Sequence, residues 1–197
     1  MSFALGLTGS IGMGKSATAA IFAAEGCAIW DADAAVHRLY DSGGAAIGPI
    51  AEIFPQAVVS GRVDRERLRE IIADDDTALP RIEAIVHPLV AADREKFRDG
   101  AENDVLVFDI PLLFETGGDV RMDAVVCVWI DAKTQSQRVM ARGTMSVEQF
   151  CQIVQKQMPI EEKKERSDYL IETDTHEHAR TQVRAILEQI RRQISDA

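Results

Sequence analysis

The sequence predicts an α/β chain, a five-stranded parallel sheet interrupted by one helical insertion. Three observations carry this reading. Short apolar runs alternate with helical stretches near both ends of the chain, two of those runs are apolar at nearly every position, and residues 45–99 are helical in period without a strand signal.

Taken in order, Phe3 to Leu7 reads as a strand that meets a Gly-rich loop and then an Ala-rich helix, Ala17 to Glu25, stopped at Gly26. Cys27 to Trp30 is a second strand, followed by a helix from Ala32 to Tyr40 that ends at Ser42-Gly43-Gly44. The insertion from Ala45 onward has expected breaks at Pro49, Pro55, Gly61, Pro80 and Pro88. Val105 to Phe108 and Ala124 to Ile130 read as strands buried on both faces, each closing on an aspartate, Asp109 and Asp131. A helix from Thr134 to Arg142 is interrupted at Gly143, and Ser146-Val147-Glu148-Gln149 has the form of a capping box for the next helix. Tyr169 to Glu172 is the last strand, and an amphipathic helix from His176 to Ile194 closes the pattern.

The chain has 197 residues, 46% of them hydrophobic and 27% charged, which suits one domain over 1–197 with a buried core. Its formal charge of −10 opposes broad attachment to nucleic acid or to an anionic membrane surface, so neither is expected as a partner. Cys27, Cys127 and Cys151 are far apart, odd in number and set among apolar residues, which predicts buried, reduced thiols and a cytoplasmic protein. The first residues lack the basic flank and long apolar run of a signal peptide, and no apolar stretch reaches spanning length.

Gly9-Ser10-Ile11-Gly12-Met13-Gly14-Lys15-Ser16 fits the phosphate-binding pattern G-x-x-x-x-G-K-[ST] between a strand and a helix. Random placement of residues in a chain of this composition yields about 0.002 such matches. Glycines let successive backbone N–H groups converge on phosphate oxygens at the positive end of a helix. In that reading Lys15 bridges the β- and γ-phosphates of a nucleoside triphosphate, and the Ser16 hydroxyl meets Mg²⁺.

Four further features bear on chemistry. Asp31 and Asp33 follow the second strand, where a carboxylate can take the proton of an acceptor hydroxyl; position favours Asp33, while Asp31 reads equally well as a helix cap. Asp109 ends its strand as a Walker B acid does and is the second candidate for Mg²⁺. Arg138 and Arg142 share one helix face before Gly143, the place for a lid that brings guanidinium groups onto a phosphoryl group, or for a solvated helix face. His87 precedes Pro88 and either contacts a ligand or ends a helix, whereas His176 and His178 read as solvated. These residues leave the acceptor open among a nucleotide, a small metabolite and, for a nucleotide-dependent switch, none.

Together with the loop, the segments Asp31-Ala32-Asp33, Ile85-Val86-His87-Pro88-Leu89, Asp109-Ile110-Pro111-Leu112-Leu113-Phe114-Glu115 and Glu162-Lys163 before Ser167-Asp168 resemble the dephospho-CoA kinase family over nearly the whole chain. The resemblance implies a three-layer P-loop kinase fold like that of the nucleoside monophosphate kinases, with a five-stranded parallel sheet, an acceptor-binding helical insertion over 45–100 and a lid over 138–158. It implies phosphorylation of the ribose 3′-hydroxyl of dephospho-CoA by ATP with Mg²⁺, completing coenzyme A. By the same resemblance Lys15 and Ser16 are the P-loop pair, Asp33 is the base, Asp109 is the acid of the Asp-Ile-Pro motif, His87 lies in the acceptor region and Arg142 is the lid arginine. Gly143, Ile153 and Thr173 differ from the residues common at those places in the family, and none of them is assigned a role.

Overall fold

The computed structural model describes residues 2–196. Strands β1 (Phe3–Thr8), β5 (Val105–Asp109) and β6 (Ala124–Trp129) are buried along almost their whole length, and they form the centre of a five-stranded sheet of order β2-β5-β1-β6-β7. Such nearly continuous apolar strands need cover on both faces, which is why they are central while β2 (Ala28–Asp31) and β7 (Tyr169–Glu172) take the edges. Strand β1 pairs in parallel with β5 and β6, and β6 with β7. The register sets Leu7 beside Asp109 and Thr8 beside Cys127. The chain therefore leaves β1 between two other strand ends, at the position where open α/β sheets form a ligand crevice.

Helices α1 (Lys15–Ala24) and α9 (His176–Ser195) pack together against the sheet. Their Ile21, Phe22, Val183, Leu187 and Ile190 join Leu5, Leu7 and Val126 in one buried cluster. The same region contains α6 (Ala132–Ala141), α7 (Val147–Lys156) and α8 (Ile160–Glu165). Ser146 and Gln149 complete the capping box at α7, as their spacing predicts.

Residues Asp31–Gly100 form a separate compact unit, and the chain on either side of it builds the sheet-bearing one. The unit contains α2 (Ala32–Tyr40), α3 (Ile47–Ile53), a two-stranded hairpin of β3 (Val58–Val59) and β4 (Arg62–Val63), α4 (Arg65–Asp74) and α5 (Ala78–Gly100). Leu39, Ile50, Phe54, Leu68, Ile82 and Val86 form its core. Arg38 on α2 holds Asp93 on α5 at 2.6 Å.

Several local expectations need correction. The hairpin is not legible from periodicity because each strand has only two residues; its signal is the Ser60-Gly61 turn between Val58-Val59 and Arg62-Val63, with Ser60 at φ 49. Pro88 does not break α5, which continues to Gly100 with the exposed proline inside it and with Ile82 and Val86 buried. Pro49 and Pro80 lie in the first turns of α3 and α5, where a missing N–H costs no helical hydrogen bond. Cys151 is exposed on α7, whereas Cys27 and Cys127 are buried and burial pushes both of their thiols up to about 11.

Candidate active site

The loop over residues 9–16 begins where β1 ends and passes directly into α1. Its shape demands glycine at three positions, the first being Gly9, where a Cβ would lie 2.4 Å from the Val128 side chain and 2.8 Å from the Val128 carbonyl oxygen. Gly12 and Gly14 have φ of 78° and 88°, and a Cβ at Gly12 would come within 2.4 Å of Val139, while one at Gly14 would meet Thr173 at 3.1 Å. Gly14 caps α1 without a side-chain hydrogen bond, and no acidic residue occupies the first turn. The short helices α3 and α8 also lack a side-chain cap, whereas α2, α4, α6, α7 and α9 each begin on an Asp, Ser or Thr whose side chain accepts backbone N–H groups. An anion is the group that suits a helix N-terminus left in this state.

The Lys15 ammonium donates to the carboxylate of Asp109, whose side chain is 2% exposed. Strand register places that carboxylate beside the end of β1, so the pair sits at the carboxyl edge of the sheet. Ser16 follows on the exposed first turn of α1. Thus Lys15 and Asp109 come together, with Ser16 adjacent in the chain.

Thr173, to which the sequence assigns no role, is buried against the loop. Its hydroxyl donates to the Met13 carbonyl at 2.9 Å and accepts from Arg138 Nη1 at 3.0 Å, and Arg138 Nη2 donates to the Thr173 carbonyl at 2.6 Å. Arg138 therefore braces the strand end under the loop, whereas Arg142 lies exposed just after α6. The two arginines share a helix face in sequence but differ in surroundings.

A second group behind the loop is equally hard to see in sequence. Lys163 lies in the charged run Glu161-Glu162-Lys163-Lys164, yet its side chain is 0% exposed. It pairs with Glu115 at 2.8 Å and donates to the Pro111 carbonyl at 3.2 Å. Glu115 also accepts from the Met158 N–H at 2.9 Å. Burial works to raise the Glu115 pKa, but the Lys163 and Met158 hydrogen bonds prevail and hold it below its ordinary value.

In the Asp31–Gly100 unit, Asp31 caps α2 by accepting from the Ala34 N–H at 2.8 Å, which supplies the structural role open to it in sequence. Asp33 is exposed in the first turn of that helix. His87 is exposed on α5 and does not end it. His178 pairs with Asp174 at 2.7 Å, and this pairing, with the Thr175 N–H, holds the Asp174 carboxyl below its usual range.

A family model described as dephospho-CoA kinase matches residues 3–179. A dephospho-CoA kinase from Ruegeria pomeroyi is 66% identical over 191 residues, covering 97% of this chain and 97% of the relative. The chain belongs to the dephospho-CoA kinase family. A solved structure from Thermus thermophilus covers 95% of this chain and 97% of its own at 32% identity, with a TM-score of 0.84. The structure of a dephospho-CoA kinase from Campylobacter jejuni covers 96% and 98%, at 25% identity and a TM-score of 0.70. The family phosphorylates the 3′-hydroxyl of dephospho-CoA with ATP, the last step of coenzyme A biosynthesis. The chain is accordingly a phosphotransferase with ATP as its co-substrate, on a P-loop kinase fold.

Proposed function

We propose that this chain performs the family's transfer with residues 9–16 around the ATP phosphates, Lys15 on the transferring group and Asp33 as the base for the acceptor hydroxyl. The observation that carries the reading is the glycine loop at the end of β1, leading into a helix that has no side-chain cap and placing Lys15 against Asp109. When phosphate arrives, Lys15 exchanges a carboxylate partner for phosphoryl oxygens, and the loop N–H groups supply further donors. Asp33 orients the ribose hydroxyl and receives its proton as the new P–O bond forms. Arg142, in a lid over 138–158, meets the charge that develops on the phosphoryl group.

Ser16 and Asp109 offer the hard oxygen donors, a hydroxyl and a carboxylate, that Mg²⁺ takes. Bound there, Mg²⁺ would neutralise phosphate charge. The insertion over 45–100, with His87, is the region we assign to the dephospho-CoA acceptor. Among the described residues no helix is long and apolar enough to cross a membrane. The buried thiols of Cys27 and Cys127 support a cytoplasmic location, and the charge of −10 supports the absence of a nucleic-acid or membrane partner.

The test is ATP consumption against dephospho-CoA, adenosine monophosphate and cytidine monophosphate, with product masses identified. Phosphorylation of dephospho-CoA alone is expected. Preferential turnover of either monophosphate would overturn the acceptor assignment.

A further inference from the structure

The peptide groups around Ile11, in the middle of the phosphate loop, are held by two glutamines from distant parts of the chain. Gln135 on α6, itself buried, donates its side-chain N–H to the Ile11 carbonyl at 2.8 Å. The Ile11 N–H donates in turn to Oε1 of Gln157, which caps the end of α7, at 3.1 Å.

Gln157 is placed by its neighbour. The Met158 N–H is fixed on Glu115, Glu115 is paired with the buried Lys163, and Lys163 also holds the Pro111 carbonyl two residues beyond Asp109. Two sets of hydrogen bonds, joined through the covalent step from Gln157 to Met158, thus connect the loop after β5 to the end of α7 and the end of α7 to the middle of the phosphate loop.

The chemistry of the acceptor is telling. Elsewhere side chains of both kinds satisfy backbone N–H groups, the carboxylates of Asp123 and Asp168 at Ala4 and Val125, both at 2.7 Å, and the Gln182 amide at Glu172, at 3.0 Å. At Ile11 the acceptor is a neutral amide. A carboxylate would bond the N–H more strongly but would set a negative charge beside a triphosphate. An amide supplies the lone pair without the charge.

We propose that Gln157 is a positioning residue for the phosphate loop: its uncharged oxygen holds the Ile11 N–H and ties the end of α7 to the loop without repelling ATP. The proposal rests on the assignment of residues 9–16 to the ATP phosphates. Because Gln157 acts through the loop, its loss weakens ATP more than dephospho-CoA. The sign of the added charge then separates two substitutions of similar size, Gln157→Met, which lacks a good acceptor, and Gln157→Glu, which keeps an acceptor but charges it.

The experiment measures kcat and both KM values for wild type, Gln157→Met, Gln157→Glu and Lys15→Ala, with thermal melts to verify folding. Gln157→Met is expected to raise the KM for ATP about five-fold, the effect of one net hydrogen bond, with the KM for dephospho-CoA within about two-fold of wild type. Gln157→Glu is expected to raise the KM for ATP more than about ten-fold at low salt. Relative to wild type under the same conditions, that excess shrinks at about 0.5 M KCl, because screening weakens repulsion and leaves a lost hydrogen bond unrestored. Equal rises in both KM values, or a Gln157→Glu enzyme indistinguishable from wild type, would overturn the proposal. If Lys15→Ala left ATP affinity and kcat intact, the phosphate-loop assignment itself would fail, a result distinct from failure of Gln157 alone.

Discussion

Lys15 and Asp109 stand 94 residues apart in sequence and share a hydrogen bond at the carboxyl edge of the sheet. The parallel register of β1 and β5 makes that meeting possible, since it sets Leu7 beside Asp109 just as the chain turns into the glycine loop. The pair stores a cation next to the place assigned to phosphate.

Replacing Lys15 with alanine is expected to lower kcat by about 10²–10³-fold, the usual cost of removing one preorganised donor from a developing charge. ATP affinity falls as well, because ground-state phosphate contacts are lost. Steady-state kinetics with dephospho-CoA saturating will check this, and an unchanged kcat would remove Lys15 from the transfer step.

Asp33→Asn should reduce turnover by about 10²–10⁴-fold while ATP still binds, as general-base removal does. Asp31 provides the contrast. Asp31→Ser keeps a helix cap for the Ala34 N–H, so it should retain most activity and nearly all stability. Activity loss in Asp31→Ser equal to that in Asp33→Asn would show that Asp31 does more than cap α2.

Arg138 and Arg142 should separate in their effects. Arg138→Ala removes hydrogen bonds to Thr173 and is expected to cost about 1–2 kcal/mol of stability with weakened ATP binding. Arg142→Ala, from an exposed position, should leave the melting temperature nearly unchanged yet depress turnover more than dephospho-CoA binding. Kinetics in which dephospho-CoA binding falls more than turnover would make Arg142 an acceptor ligand instead.

Lys163→Met removes the cation from a buried pair and is expected to destabilise the fold by about 2–3 kcal/mol, a value reduced by the partial exposure of Glu115. The pH dependence has a definite sign. The Glu115 carboxyl is depressed below 4.5 in the folded chain, so its stabilising contribution is complete above that ordinary value and disappears as pH falls through the native one. Denaturant unfolding at about pH 7 and about pH 3 should show the gap between wild type and Lys163→Met narrowing in acid. A gap independent of pH would mean that packing, not charge, holds Lys163.

Tyr169–Glu172 was legible as a strand and Ser146 as a cap because each signal is confined to a few neighbouring residues. The same confinement explains the failures. The strands flanking Ser60-Gly61 are too short for period-two alternation, and the helix through Pro88 continues because packing of Ile82 and Val86 prevails over a local breaker. Lys163 defeats any reading by composition, since a charge run reports charge and not which of its members faces inward.

By itself the sequence determined the phosphate loop, the alternation of buried strands with helices, and the family to which the chain belongs, because glycine spacing, apolar runs and motif order are properties of contiguous residues. Tertiary structure alone decided that Lys15 bonds Asp109, that Arg138 serves Thr173, and that Gln157 holds Ile11. Periodicity reveals which side of an element is apolar but carries no information about its partner. Hydrogen bonds between residues 35 to 146 positions apart depend on strand register and on which buried groups would otherwise stay unsatisfied, and both are settled only when the chain packs.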